Sequence, residues 1–164
     1  MTVEMLGQSV EELRALLTAR GEPAYRARQL YHALYVERRR DFASMSALPA
    51  ALRERLAREA TLTWPPISRR YRSADGTVRY VLSLAPREDG RPATIEAVFM
   101  PEQSRQTICI STQAGCAVDC RFCLTATLGL IRNLTAGEIV GQVLVALDDH
   151  RASLKPQTNV VLMG

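Results

Sequence analysis

The chain has 164 residues, 47% of them hydrophobic, and a formal net charge of +4 from 21 Lys+Arg against 17 Asp+Glu. That apolar content supplies a real core and excludes wholesale disorder, while the length admits one ordinary domain or a small domain joined to part of a larger one. No apolar run approaches the ~20 residues of a membrane span, and Glu4 with no apolar stretch behind it argues against a secretory leader, so the expected compartment is the cytosol. Lys155 is the only lysine, so arginine carries nearly all the positive charge. Guanidinium forks suit a partner with phosphates, although a codon bias toward arginine gives the same composition.

Residues 1 to about 60 read as helical. Ser9-Val10-Glu11-Glu12 is a capping box, and Leu13, Leu16 and Leu17 follow as an apolar face. Gly21 supplies a left-handed stop, and Pro23 suits a new first turn. The next helix, from Ala24 to about Glu37, sets Leu30, Leu34, Tyr31 and Tyr35 among Arg26, Arg28 and Arg38. Pro49 opens a third, Ala50 to about Ala60, with Leu52 and Leu56 inward and Arg53, Arg55 and Arg58 outward. The pattern alone favours a solvated basic face; the functional reading is an RNA-facing accessory domain.

Trp64-Pro65-Pro66 breaks the helical pattern. The period then changes to two. Ile67–Arg72 and Thr77–Leu84 flank Ala74-Asp75-Gly76, a hairpin signal. A loop with Pro86, Gly90 and Pro92 precedes strands at Thr94–Met100 and Gln106–Thr112. Thr135-Ala136-Gly137-Glu138 is a second capping box, and Ile139, Val140, Val143, Leu144 and Leu147 form the expected buried stripe behind it. Asn159–Met163 is a further apolar strand. Strand, helix and strand make a βαβ unit with parallel strands and a right-handed crossover. The fold class is α+β followed by α/β. Segment 1–62 is the helical domain, 63–105 a linker and antiparallel β extension, and 106–164 the first part of a β/α core. Ligand sites lie at the C-terminal ends of parallel strands. The chain stops at such an end, Gly164, and is therefore expected to be a fragment of a longer protein, inactive alone.

All four cysteines lie between Gln106 and Leu134: Cys109, then Cys116, Cys120 and Cys123 spaced C-x3-C-x2-C. In the cytosol, clustered cysteines bind metal or do redox work more often than they form structural disulfides. A closed zinc site takes four ligands. Cys109 is available as the fourth, but it sits inside a strand seven residues before Cys116, and paired C-x2-C knuckles are absent. A 4Fe-4S cluster held by three thiolates keeps one iron open for a small molecule. Gly115 gives the loop backbone room to turn.

The spacing, on a loop after the first strand of a β/α unit and with Phe122 before the last cysteine, resembles the radical S-adenosylmethionine superfamily. The flanks GCAVDCRFC and GLIRNLTAGEIVGQV are similar to the RlmN family of dual-specificity 23S rRNA and tRNA adenine-C-2 methyltransferases. GEPAYRARQLYHALY and DFASMSALPAALRERL resemble that family's N-terminal domain; Leu130 departs from it, standing where the family usually has Phe.

The resemblance implies that Cys116, Cys120 and Cys123 hold a 4Fe-4S cluster that binds S-adenosylmethionine. It implies that methylation passes through a methyl-cysteine in a part of the family's sequence not found here. It makes Glu96 the proton acceptor and Cys109 the thiol that resolves the adduct as a disulfide with that cysteine. Read without it, Glu96 is a solvent-facing strand glutamate and Cys109 a small buried apolar side chain. Partners implied are 23S rRNA, tRNA and an external electron donor such as a flavodoxin, with a monomeric enzyme and no membrane. Arg26, Arg28, Arg38, Arg39 and Arg40 would hold RNA phosphates. Three alternatives stand beside this reading: a sister adenine-C-8 methyltransferase, a zinc-stabilised basic module that binds RNA without catalysis, and a degenerate or truncated gene product with no activity. His32 and His150 are given no role.

Overall fold

A computed structural model of the chain describes residues 2–85, 93–118 and 120–163. The loop expected at Pro86, Gly90 and Pro92 lies outside the described residues. The chain divides into two units, residues 1–64 and 65–164, with the boundary inside Trp64-Pro65-Pro66.

In the first unit, β1 (Val3–Glu4), α1 (Val10–Thr18), α2 (Arg26–Tyr35), α3 (Ala50–Glu59) and β2 (Ala60–Thr61) follow in order. The Ser9 box caps α1 from both sides: the Glu12 N–H donates to Ser9 Oγ, and the Ser9 N–H to Glu12 Oε2 at 2.7 Å. Gly21 takes the left-handed conformation, φ 79°. Met5, Leu13, Leu17, Leu30, Leu34, Met45 and Leu56 are buried together, with Leu16 at the margin. β1 and β2 pair in parallel, which the sequence pattern does not show. Glu4 accepts from the Thr61 hydroxyl at 2.9 Å and the Thr63 N–H at 3.1 Å, tying the start of the unit to its end.

Two arginines expected outward are staples instead. Arg55 reaches Glu22 Oε1 at 2.5 Å and the Arg20 carbonyl at 3.2 Å, and Arg53 donates to the Ala43 carbonyl. A guanidinium on a long apolar stem can lie along the protein and cap loop carbonyls, so periodicity alone does not make it a surface charge.

In the second unit, β3 (Ile67–Arg72), β4 (Val78–Leu84), β5 (Ala93–Pro101), β6 (Arg105–Ser111) and β9 (Gln157–Met163) form one sheet in the order β3-β4-β5-β6-β9. The pairs are antiparallel as far as β6, and β6 pairs with β9 in parallel across α4 (Ala136–Asp149). The antiparallel strands and the β/α unit therefore share a single sheet. A separate small hairpin, β7 (Gln113–Gly115) with β8 (Leu130–Asn133), lies between β6 and α4. The Thr135–Glu138 box starts α4, both bonds being present.

The contact face of α4 differs from the expected stripe. Gly137, Gly141, Leu144 and Val145 are buried, with Gln142 and Ala146, while Ile139, Val140, Val143 and Leu147 are only half-buried. Both sets are apolar and both repeat at helical spacing. The sheet takes the side with small residues, leaving the bulkier one half-covered. Opposite it lie Val78, Tyr80, Leu82, Ile95, Ala97, Phe99, Ile108 and Ile110. Tyr80 donates to Asp149 Oδ2 at 2.8 Å, and Arg70 grips the same carboxylate with two nitrogens, at 2.9 and 3.2 Å. Burial, then the neighbouring Asp149, pushes the Tyr80 hydroxyl well above the usual tyrosine range. No helix among the described residues is long and apolar enough to cross a membrane.

Candidate cluster loop and open sheet face

The end of β6 is clamped before the chain enters the cysteine loop. The Thr112 N–H donates to the Met163 carbonyl at 3.2 Å, and the Leu134 N–H to the Thr112 carbonyl at 3.0 Å. Gln142, fully buried in α4, accepts from the Ser111 N–H at 2.9 Å and donates to the Ser111 carbonyl at 2.8 Å and the Glu138 carbonyl at 3.1 Å. Arg132 of β8 grips Glu138 with both terminal nitrogens, at 2.6 and 2.8 Å. Burial pushes the Glu138 carboxyl up, but Arg132 and the Thr135 N–H outweigh it, and the net shift is downward.

The loop itself is the excursion of the β7–β8 hairpin. Gly115 has φ 73°, and a Cβ there would stand 1.9 Å from the Gly129 carbonyl oxygen. Only glycine fits, which is a sharper requirement than room to turn. The Cys116 N–H donates to that same carbonyl at 3.1 Å. Further on, the Cys123 N–H donates to the Cys120 carbonyl at 3.0 Å, and a 3-10 turn, Leu124–Leu128, follows.

Cys116, Cys120 and Cys123 thus belong to one short loop, and none of the four cysteines is in a disulfide. The Val118 N–H points at Cys116 Sγ at 3.5 Å. The N–H groups of Ala126 and Thr125, then the Thr125 hydroxyl, draw the Cys123 thiol below the usual thiol range. Amides directed at sulfur, with soft thiols close in sequence, fit an iron–sulfur cluster in donor chemistry. The thiols are not drawn together: among the described residues no three His, Cys, Asp or Glu side chains form a metal-holding group. Phe122 is 94% exposed, unpacked by the rest of the described chain.

The sheet face turned away from α4 carries the other two predicted site residues. Registers place Tyr71 opposite Arg79, Arg79 opposite Val98, Val98 opposite Cys109, and Cys109 opposite Val161, a row across all five strands. Glu96, two residues from Val98, shares that face, as its position in the Thr94–Val98–Met100 pattern predicts. Its carboxylate accepts from Arg79 Nη1 at 3.0 Å, and the Arg79 guanidinium lies 4.6 Å from the Tyr71 ring centre. The Ser111 hydroxyl donates to the Glu96 carbonyl at 2.8 Å. Cys109 and Glu96 are therefore on adjacent strands of one face, and β6 runs from Cys109 toward the cysteine loop.

Sequence reasoning missed Arg79, Ser111 and Gln142. The first two had a period-two signal but no way to show their cross-strand partners. Gln142 was legible only as a polar residue inside an apolar helix.

The other predicted residues are scattered over the first unit. Arg26 Nη1 donates to Gln29 Oε1 at 2.7 Å, Arg39 pairs with Glu37 at 2.8 Å, and Arg40 lies 4.5 Å from the Trp64 ring centre. Arg38 has a left-handed backbone, φ 55°. Arg28 is exposed, with no ion pair among the described residues. His32 meets Glu37 at 3.3 Å. In the second unit His150 stacks on Phe99, ring centres 3.8 Å apart, and burial lowers its pKa.

A mixed sheet continued by a parallel β/α unit thus carries three cysteines past its first parallel strand. A crystal structure of a radical SAM methyltransferase from Sphaerobacter thermophilus is similar over 96% of this chain and 45% of that one, with TM-score 0.84 and 39% identity. Residues 3–62 match the family model described as the ribosomal RNA large subunit methyltransferase N-terminal domain. The chain is 44% identical, over 98% of its length, to the dual-specificity RNA methyltransferase RlmN of Nitratidesulfovibrio vulgaris, strain DP4, and 42% identical, over 99%, to that of Rhodospirillum rubrum. Residues 3–62 are thus similar to that N-terminal domain, and nearly the whole chain aligns with RlmN proteins. The chain spans 45% and 38% of the lengths of those two relatives.

Proposed function

We propose that this chain supplies the RNA-binding unit, the cluster loop and two reacting side chains of a radical S-adenosylmethionine enzyme. Its reaction would be methylation of carbon 2 of adenine in 23S rRNA and tRNA. The observation that carries this is the C-x3-C-x2-C loop at the end of β6, the first parallel strand, in a chain aligned with RlmN proteins over 98% of its length. Residues 1–62 would face RNA, 63–105 extend the sheet, and 106–164 begin a partial β/α barrel.

Cys116, Cys120 and Cys123 would hold a 4Fe-4S cluster with one iron left for S-adenosylmethionine. Once bound, the pair supplies radical chemistry to a ring carbon that has no lone pair to attack a sulfonium. Two further steps would fall to residues of this chain. The Glu96 carboxylate, held by Arg79, would accept the proton that leaves the methylated carbon. The Cys109 thiolate would attack the sulfur of the adduct cysteine, which is not among this chain's four; the sulfur–carbon bond breaks, its electron pair and a proton complete the product's methyl group, and a disulfide is left on the enzyme. Gln142 and the Arg132–Glu138 pair keep the loop anchored while these steps proceed. The donor of electrons would be an external protein such as a flavodoxin, and the enzyme a cytoplasmic monomer.

Anaerobic reconstitution of the chain with iron and sulfide tests the site. A brown protein whose iron is lost in Cys120→Ala and kept in Cys109→Ala is expected. Equal loss in both variants, or a colourless protein that takes up zinc alone, refutes the three-plus-one division of the cysteines.

A further inference from the structure

Helix α2 turns aromatic rings outward. Its aliphatic residues Ala27, Leu30, Ala33 and Leu34 are all buried. Tyr25, at its N-cap, is 55% exposed, and the His32 side chain 59% exposed. Tyr25 already has helical backbone angles, so Tyr25, Arg28 and His32 stand at i, i+3 and i+7 on one face, spread over about 10 Å. Tyr31 flanks them.

Two of these rings are held by a neighbour. The Arg26 guanidinium lies 4.8 Å from the Tyr25 ring centre and is itself fixed on Gln29. Tyr31 leans on Tyr35, ring centres 4.5 Å apart, and the Tyr35 hydroxyl is pinned between the Gly7 N–H and the Gln8 carbonyl, each at 2.9 Å. Residues 23–36 contain no Asp or Glu. Glu22 is occupied by Arg55, and Glu37 sits at the far end with His32 and Arg39.

Exposed flat rings, interleaved with cations and with acids only beyond the two ends, match a strand of nucleotides. Each base offers a face to stack on an aromatic ring, and each phosphate an anion for a guanidinium. The helix's aliphatic residues are all buried, so what it offers outward is rings and cations rather than an apolar stripe. A duplex keeps its base faces stacked on one another and offers the rings little. We propose that the outer face of α2 is a stacking surface for unpaired RNA nucleotides, Tyr25 taking a base and Arg28 a phosphate. The proposal deepens the RNA reading above and does not depend on the cluster.

The test is anisotropy titration of the full chain, without cluster, against a fluorescein-labelled oligoadenylate and an RNA duplex of equal length. The single strand binds more tightly. Tyr25→Ala weakens it about tenfold at fixed salt, and Tyr25→Phe restores it. Arg28→Gln lowers the salt dependence of log affinity by about one. The thermal midpoint of Tyr25→Ala stays at the parent's, because the ring is exposed. Binding that Tyr25→Ala leaves within about twofold of the parent, or equal affinity for duplex, means phosphate contact alone and overturns the stacking surface while leaving an RNA-binding unit in place. Absence of any RNA binding overturns it too, and the iron measurements then judge the cluster loop separately.

Discussion

Replacing Gln142 by leucine keeps the volume of a fully buried side chain and removes its three hydrogen bonds, to the Ser111 N–H, the Ser111 carbonyl and the Glu138 carbonyl. A buried backbone group left without a partner costs about 1–3 kcal/mol. Ser111 has two such groups on Gln142, whose side chain is fully buried. The added leucine burial offsets part of the loss, so the net destabilisation is about 2–4 kcal/mol. Trp64, the only tryptophan, belongs to the first unit and would not report this change. Native-state amide hydrogen exchange does, since Ile108 and Ile110 are buried in β6. Their protection should fall by about thirtyfold or more, while that of Leu30 and Leu34 in α2 stays as it was. The same variant should take up iron poorly, because β6 delivers the chain into the cysteine loop. Protection at Ile108 within about twofold of the parent would refute the reasoning, since the clamp would then carry no load.

The loop makes a second demand. Gly115→Ala puts a Cβ 1.9 Å from the Gly129 carbonyl oxygen at a positive φ, so β7 and β8 must separate; a loss of about 3 kcal/mol is expected in denaturant titration of the second unit, and iron uptake falls with it. Arg79→Gln breaks a half-exposed ion pair with Glu96, so stability should change by less than about 1 kcal/mol, whereas a crystal structure of the variant should show the Glu96 carboxylate in more than one orientation. The Glu138 carboxyl is held below its unfolded value. Its contribution is therefore fully present above that unfolded value and is lost as pH falls through the lower folded one. The acid side of the stability profile should flatten in Glu138→Gln, and an unchanged profile would count against the Arg132–Glu138 pair as an anchor.

Much of the frame was legible because it is set by neighbours in the chain. Ser9 with Glu12 and Thr135 with Glu138 cap helices through groups three residues apart, and both boxes form as read. Trp64-Pro65-Pro66 ends one unit because proline cannot continue a helix or a ladder. Asp75-Gly76 turns a hairpin, the Asp75 carboxylate taking the Thr77 N–H at 3.0 Å. The cysteine spacing marked the loop without any knowledge of its shape.

What stayed hidden depends on residues that meet only when the chain folds. The β1–β2 pair joins two-residue strands from opposite ends of the first unit, too short to show a period. On α4 two apolar faces compete, and the sheet selects the one bearing Gly137 and Gly141. Arg53 and Arg55 carry the periodicity of surface charge, yet loop carbonyls and Glu22 within reach turn them inward. Glu96 and Cys109 are a strand apart in sequence; the registers of β5 and β6 put them on one face, and β4 supplies Arg79. The sequence by itself determined which residue types stand where: thiols in a soft-ligand pattern, caps, turns and arginines, all local chemistry. Tertiary structure alone decided which of them share a face, because strand register and helix contact are settled by burial across the whole sheet.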